Sequence, residues 1–188
     1  MTLRYLILFT LGTTLIWCGF TWAYGLLFAW SEWVPGVNLV YFPHGLRMIL
    51  VILFAEAGAL GIVFGTAIMG FDLLRINPIL GLAQCLVADT AVWLAARLVI
   101  SPSGKSIFFT QNKNYIACLD GRSLILLAFA SSVLNASGHV LAWLLFDAEA
   151  NQLEVRFATM FTGDLLGALI LLYALKGLVI SFERRHKQ

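Results

Sequence analysis

The stretch Asn38–Gly70, NLVYFPHGLRMILVILFAEAGALGIVFGTAIMG, decides how this chain folds. It starts with a polar, turn-prone segment and continues as an apolar run that is interrupted by Glu56. Pro43 fits the first turn of a helix, where its missing N–H costs nothing. His44 and Arg47 are then three residues apart on one face of that helix. Because ionisable side chains at membrane depth are costly, the stretch predicts a site rather than a plain lipid anchor.

The composition is that of a membrane protein. Of 188 residues, 61% are hydrophobic and 12% are charged, whereas an average soluble domain is about 45–50% apolar and about 25% charged. Several runs reach the ~20 apolar residues that cross a bilayer. We therefore expect a single integral membrane domain over residues 1–188, in contact with membrane lipid.

Other classes of protein are disfavoured by what the sequence lacks. A formal net charge of +2, without a basic run interleaved with aromatics, gives no reason to expect nucleic acid as a partner. Cys18, Cys85 and Cys118 have no CxxC spacing and fit apolar filler positions better than a metal site or a disulfide framework. No nucleophile elbow, HExxH, P-loop or dinucleotide fingerprint occurs. We expect no enzyme activity, no metal and no cofactor.

The helices predicted with least ambiguity cover about residues 5–27, 79–100, 123–146 and 157–180. Residues 43–70 as one helix would be roughly 42 Å long, against a hydrocarbon core of about 30 Å. Either one tilted helix or two short helices that meet at residues 54–58 would fit. Because Lys and Arg collect in the loop 101–122 and in the tail 183–188, the positive-inside rule favours the pair. The predicted fold is an all-α transmembrane bundle of about six helices, with a short helical pair at 43–74 and both termini cytoplasmic.

Two acidic residues lie inside predicted spans. Arg97 follows Asp89 two turns later on the same face of the helix. The two residues are either a structural polar contact inside the bundle or part of a site. Asp164 needs a partner because an acid at the helix centre costs about 2.5–3.5 kcal/mol. Gly163 and Gly167 flank it and allow a neighbouring helix to approach. Arg47 is the predicted partner of Asp164, at the base of an outward-facing polar site.

Asn135 and His139 share one face of their predicted helix. Interhelical hydrogen bonding is the simpler interpretation and ligand binding is the alternative. His44 and His139 would be the candidate axial ligands of a haem, but two membrane histidines alone are a weak signal. The candidate ligand-binding residues are His44, Arg47, Asp89, Asn135, His139 and Asp164.

Two segments resemble a known family. These are Val40-Tyr-Phe-Pro-His-Gly-Leu-Arg47 followed by Gly61-Ile-Val-Phe-Gly65, and Thr162-Gly-Asp-Leu-Leu-Gly167. They are similar to the membrane-associated sensor domain of the first type, the integral input module of many bacterial histidine kinases and diguanylate cyclases. The positions that fall on its pattern are Pro43, Gly45, Gly61, Gly65, Gly163, Asp164 and Gly167.

The resemblance implies a sensory or ligand-binding module in the bacterial inner membrane. The family usually has more helices and a cytoplasmic output domain, whereas this chain stops just after Arg185, so a partner protein would carry the response. Two alternatives stay open. One is a small substrate-binding transport subunit that docks on a separate energising module, and the other is an accessory subunit of a larger membrane complex. All three functions require a membrane protein partner or an oligomer. The sensory module and the transport subunit also require a small-molecule ligand.

Overall fold

The computed structural model describes residues 3–34, 36–100, 121–147 and 151–185. Within these residues the order of elements is α1 (Leu3–Phe28), a 3₁₀ turn (Ala29–Ser31), β1 (Glu32–Val34), β2 (Val37–Asn38), α2 (Phe42–Met69), α3 (Phe71–Ile76), α4 (Pro78–Ile100), α5 (Gly121–Phe146) and α6 (Leu153–Arg185). Lys105, Lys113 and Cys118 of the predicted basic loop lie outside the described residues, as do the last three residues of the basic tail.

The predicted all-α transmembrane bundle is confirmed. Five of the helices, α1, α2, α4, α5 and α6, are long and apolar enough to cross a membrane. The chain is a multi-pass membrane protein.

Helix α2 is broken at Ala55, which has φ 48° and ψ −120°. A positive φ is strained for a residue with a Cβ. Beyond the break, a Cβ added to Gly58 would collide with the carbonyl of Leu50. An unbroken helix would separate these two residues by about 12 Å. The chain therefore folds back on itself at Ala55.

The contacts of α2 with α1 confirm the reversal, beginning with the half before Ala55. The ring of Phe42 lies 5.0 Å from that of Phe28, near the end of α1. The ring of Phe54 lies 5.4 Å from that of Phe9, near the beginning of α1. This half of α2 therefore runs antiparallel to α1.

The half after Ala55 runs parallel to α1. The Thr14 hydroxyl donates to the Gly61 carbonyl at 3.0 Å, and the Cys18 thiol lies 3.8 Å from the Gly65 carbonyl. Glycines at 61 and 65 permit this approach because they place no side chain between the helices. The short helical pair predicted over 43–74 is confirmed, with α2a (residues 42–54) and α2b (residues 56–69) as its members.

The 3₁₀ turn leads into a two-stranded antiparallel sheet, in which β1 pairs with β2. Val37 is completely buried and packs with Leu80, Trp143 and Met160. The sheet is thereby fixed across one end of the bundle, which we call the β end. Helix α4 starts at this end, where the Asn77 side chain accepts a hydrogen bond from the Leu80 N–H at 3.2 Å and caps the first turn.

The beginning of α1 and the end of α6 share the opposite end, called here the terminal end. Helix α6 runs parallel to α2a, because Gly163 packs on Asn38 and Gly45 packs on Ala168. Helix α1 is antiparallel to α2a. The start of α1 and the end of α6 therefore lie on the same side of the bundle, as an even number of crossings requires.

A cysteine at position 56 tests the helical pair. Glu56 follows the break in α2, and its Oε1 is buried without a hydrogen-bond partner among the described residues. Because a carboxylate at a turn needs water, we expect Glu56→Cys to react with a water-soluble thiol reagent from the side of the terminal end. Protection from both sides would contradict an open turn. Leu53→Cys, three residues earlier on an exposed face of α2a, is the control for a position in contact with lipid.

Candidate functional site

Three helices bring buried polar side chains together near the β end. His44 comes from the first turn of α2a, Ser131 and Asn135 from the middle of α5, and Asp164 from α6. All four are at most 2% exposed. The Nε2 atom of His44 lies 3.0 Å from the Ser131 hydroxyl. Because these groups are almost completely buried, the hydrogen bonds among them hold three helices in register.

Asp164 has a different partner from the one predicted. The Asn135 side-chain amide donates to Asp164 Oδ2 at 2.6 Å, and His44 Nδ1 lies 3.7 Å from the same oxygen. Within the described residues no ion pair joins Arg47 to Asp164. The prediction of a direct contact between them is therefore wrong. Helix depth placed both charges at the same level, but the rotation of α2a directs His44, rather than Arg47, at the carboxylate.

Arg47 lies between two aromatic rings instead. Its guanidinium carbon is 4.8 Å from the centre of the Trp17 ring and 5.5 Å from that of Tyr41. The side chain is 5% exposed, and its Nε and Nη1 have no hydrogen-bond partner in the part of the chain that the structure describes. Cation–π contacts stabilise a desolvated guanidinium by about 2 kcal/mol. They leave its N–H donors available.

Asp89 is also unsatisfied. It is 1% exposed, and neither carboxylate oxygen has a hydrogen-bond partner among the residues described here. Arg97, the neighbour predicted from spacing, stacks at 4.5 Å on the ring of Trp93.

A cavity of about 180 Å³ opens at the β end beside these groups. Four of the six predicted ligand-binding residues line it, namely Arg47, Asn135, His139 and Asp164. His44 and Asp89 are packed behind its wall. We call this space the β-end cavity. The sequence therefore predicted four of its polar lining residues, although it paired Asp164 with Arg47 instead of Asn135.

Other lining residues were missed. Tyr41, Gln84, Cys85 and Trp143 all face the β-end cavity. Gln84 and Cys85 lie one turn before Asp89 on α4, so the helical period could have indicated them. Tyr41 carried no such signal, because its position depends on a hydrogen bond from its backbone N–H to the Gly163 carbonyl at 2.9 Å.

The motif glycines bring the chain close to α6. A Cβ on Gly163 would collide with the Asn38 carbonyl, and one on Gly167 would collide with the Tyr41 carbonyl. Pro43 lies in the first turn of α2, as predicted. The sequence Gly-Asp-x-x-Gly therefore supplies both the acid and the space in which the backbone that carries Tyr41 sits.

The two membrane histidines have separate partners. His139 Nδ1 donates to the Asn135 backbone carbonyl at 3.0 Å, while His44 contacts Ser131 and Asp164. No cluster of three or more candidate metal ligands occurs among the residues described. His44 therefore lies between a hydroxyl and a carboxylate, whereas His139 hydrogen-bonds to the backbone of its own helix.

Comparison with known proteins adds no family. The sequence matches no family model, and no curated protein or solved structure is significantly similar to it. The resemblance to the sensor domain stays a prediction.

Proposed function

We propose that this chain is an integral membrane ligand-binding module that takes a small polar molecule into the β-end cavity and passes its occupancy to a partner protein. The proposal depends on the state of Arg47. This buried cation lies on the wall of an open cavity, and its Nε and Nη1 donors have no hydrogen-bond partner among the described residues. Burying a charged group without hydrogen bonds is expensive. A ligand that accepts from Arg47 would remove that cost.

A route from the cavity to a partner exists through α1. Arg47 stacks on Trp17, which is completely enclosed between α1 and α2. Helix α1 is the least buried of the five candidate spans, and its opposite face carries exposed residues such as Leu8 and Leu15. Movement of Arg47 on binding would therefore shift the helix that offers most surface to lipid or to another protein. This behaviour agrees with a sensory input module.

A small substrate-binding transport subunit is the second candidate. It is favoured by the break in α2 at Ala55, because transporters build substrate sites from discontinuous helices. Co-purification from native membranes, followed by mass spectrometry, separates the two candidates. A signalling protein as the companion would support the sensor, and an ATP-hydrolysing membrane module would support the transport subunit.

The orientation proposed is that of a bacterial inner-membrane protein with both termini cytoplasmic. The basic residues at 101–122 and 183–188 support this orientation through the positive-inside rule. The beginning of α1 and the end of α6 lie at the end of the bundle opposite the β end, so in this orientation the β-end cavity would open to the outside.

Cys85 provides a direct test of access to the cavity. In a variant with Cys18→Ala and Cys118→Ala, Cys85 is the only thiol of the chain. A small, charged methanethiosulfonate added to intact cells is expected to modify it, because Cys85 lines the β-end cavity. A variant that retains only Cys18, which faces the Gly65 carbonyl between α1 and α2b, is the matched control and should react far more slowly. If Cys85 is inert both in intact cells and in inverted vesicles, the cavity is closed and the proposed function is wrong.

A further inference from the structure

We infer that the ligand of the β-end cavity is a small zwitterion with a carboxylate and an ammonium group close together, of the kind found in a small α-amino acid. The inference rests on the proposed function and names its ligand class. It follows from three properties of the cavity wall: its free donors, its free acceptors and its charge.

The free donors are those of Arg47. Arg47 is 5% exposed, and its Nε and Nη1 make no hydrogen bond to any described residue. A guanidinium carries only donors and is always charged, and its planar geometry matches a carboxylate. The group that satisfies Arg47 therefore has to be an acceptor, and a carboxylate does so with charge-assisted hydrogen bonds.

The free acceptors lie on α5 and α6. Asn135 donates its amide N–H to Asp164, while its Oδ1 is buried with no partner in the described part of the chain. Both residues line the same cavity as Arg47. A carbonyl oxygen beside a carboxylate is the environment that binds an ammonium group. The part of the wall with Arg47 thus fits a carboxylate, and the part with Asn135 and Asp164 fits an ammonium group.

The charge of the wall excludes simpler ions. Arg47 supplies one positive charge, whereas Asp164 on the wall and Asp89 behind it supply two carboxyl groups. A multiply charged anion such as inorganic phosphate would face the Asp164 carboxyl group on the same wall. A plain amine would leave the donors of Arg47 unsatisfied. A zwitterion satisfies both and adds no net charge to a desolvated site.

The size of the cavity agrees with such a ligand. A volume of about 180 Å³ is many times the ~10–15 Å³ that one water molecule needs. Glycine, alanine or serine would fit that space. Trp143, Met160 and Leu73 form an apolar part of the wall, where a methyl or hydroxymethyl group could pack.

The experiment compares matched probes on the full chain in nanodiscs, with Cys85 as the only thiol. L-Alanine is tested beside propionate, which lacks the ammonium group, and ethylammonium, which lacks the carboxylate. Alanine at ten times its Kd should slow modification of Cys85 by about tenfold, because only the empty site reacts. Propionate and ethylammonium at the same concentration should not protect.

Two variants test whether protection of Cys85 by alanine depends on the wall of the β-end cavity. Arg47→Met keeps the length of the side chain without its charge and should abolish protection by alanine. Arg97→Met removes an arginine that also stacks on a tryptophan but does not line the cavity, and it should leave protection intact. If Arg47→Met does not fold, the comparison of probes on the unaltered wall still decides.

Each outcome has one meaning. Equal protection by propionate, or by ethylammonium, would overturn the zwitterion while the proposed function stands. Reactive Cys85 that none of the probes protects would overturn it as well. Cys85 that never reacts would instead remove the proposed function itself.

Discussion

The substitution Gly167→Ala is expected to destabilise the bundle by about 1–3 kcal/mol, the usual cost of overpacking a well-packed interior. The added Cβ would collide with the Tyr41 carbonyl, and backbone yields less easily than a flexible side chain. Tyr41 must then move away from α6, and it carries one of the two rings that hold Arg47. We therefore expect a lower thermal midpoint in detergent together with faster modification of Cys85.

Gly19→Ala is the matched control for this substitution. Gly19 lies inside α1, and a Cβ there would meet no other described atom within 4 Å. Alanine is the better helix former by up to ~1 kcal/mol, so Gly19→Ala should be neutral or stabilising. If Gly167→Ala proves as harmless as Gly19→Ala, α6 does not approach residue 41 as closely as the structure shows.

The second large effect is expected at the pair Asn135 and Asp164. Asp164→Ala should destabilise the bundle by about 1.5–3 kcal/mol, the range for hydrogen bonds to charged groups. It leaves the Asn135 amide buried without its acceptor at 2.6 Å. Asn135→Ala should cost a similar amount. The double variant should cost clearly less than the sum, with a coupling of about 0.5–3 kcal/mol, as for residues in direct contact.

Two further double-mutant cycles give coupling energies for comparison with that of Asn135 and Asp164. Asn135→Ala combined with Glu154→Ala, an exposed residue in the first turn of the same α6, should be additive. Arg47→Ala combined with Asp164→Ala should show weaker coupling than Asn135 with Asp164, since no direct ion pair joins the first two among the described residues. Stronger coupling for Arg47 than for Asn135 would mean that Arg47, not Asn135, is the contact of Asp164.

The topology could be predicted largely from the sequence. Apolar runs of sufficient length gave four helices, and the excess length of residues 43–70 over the bilayer, with the distribution of Lys and Arg, indicated the helical pair. The glycine spacing at 61 and 65, and at 163 and 167, predicted close helix contacts that the structure contains. These features depend on local composition and on the fixed thickness of a bilayer, so they can be read along one chain.

The pairing of polar groups could not be predicted in the same way. The free-energy cost of a carboxylate at membrane depth indicated that Asp164 needs a partner. Depth does not select that partner, because every residue at one level of the bundle has the same depth. Whether that partner is Arg47 or Asn135 depends on how far each helix is rotated about its axis. The rotation is set by packing against several neighbours at once.

The sequence by itself therefore determined that this is a polytopic helical membrane protein, that residues 43–74 form a short helical pair, and that charged residues are buried where helices approach closely. Only the tertiary structure decided that Asn135 and His44 contact Asp164, and that Arg47 lies between Trp17 and Tyr41 on the wall of an open cavity. The physical reason is that burial energy depends on how deep a residue lies, which hydrophobicity encodes locally. Hydrogen bonds depend on direction over about 3 Å, and that direction is fixed only when all the helices have packed.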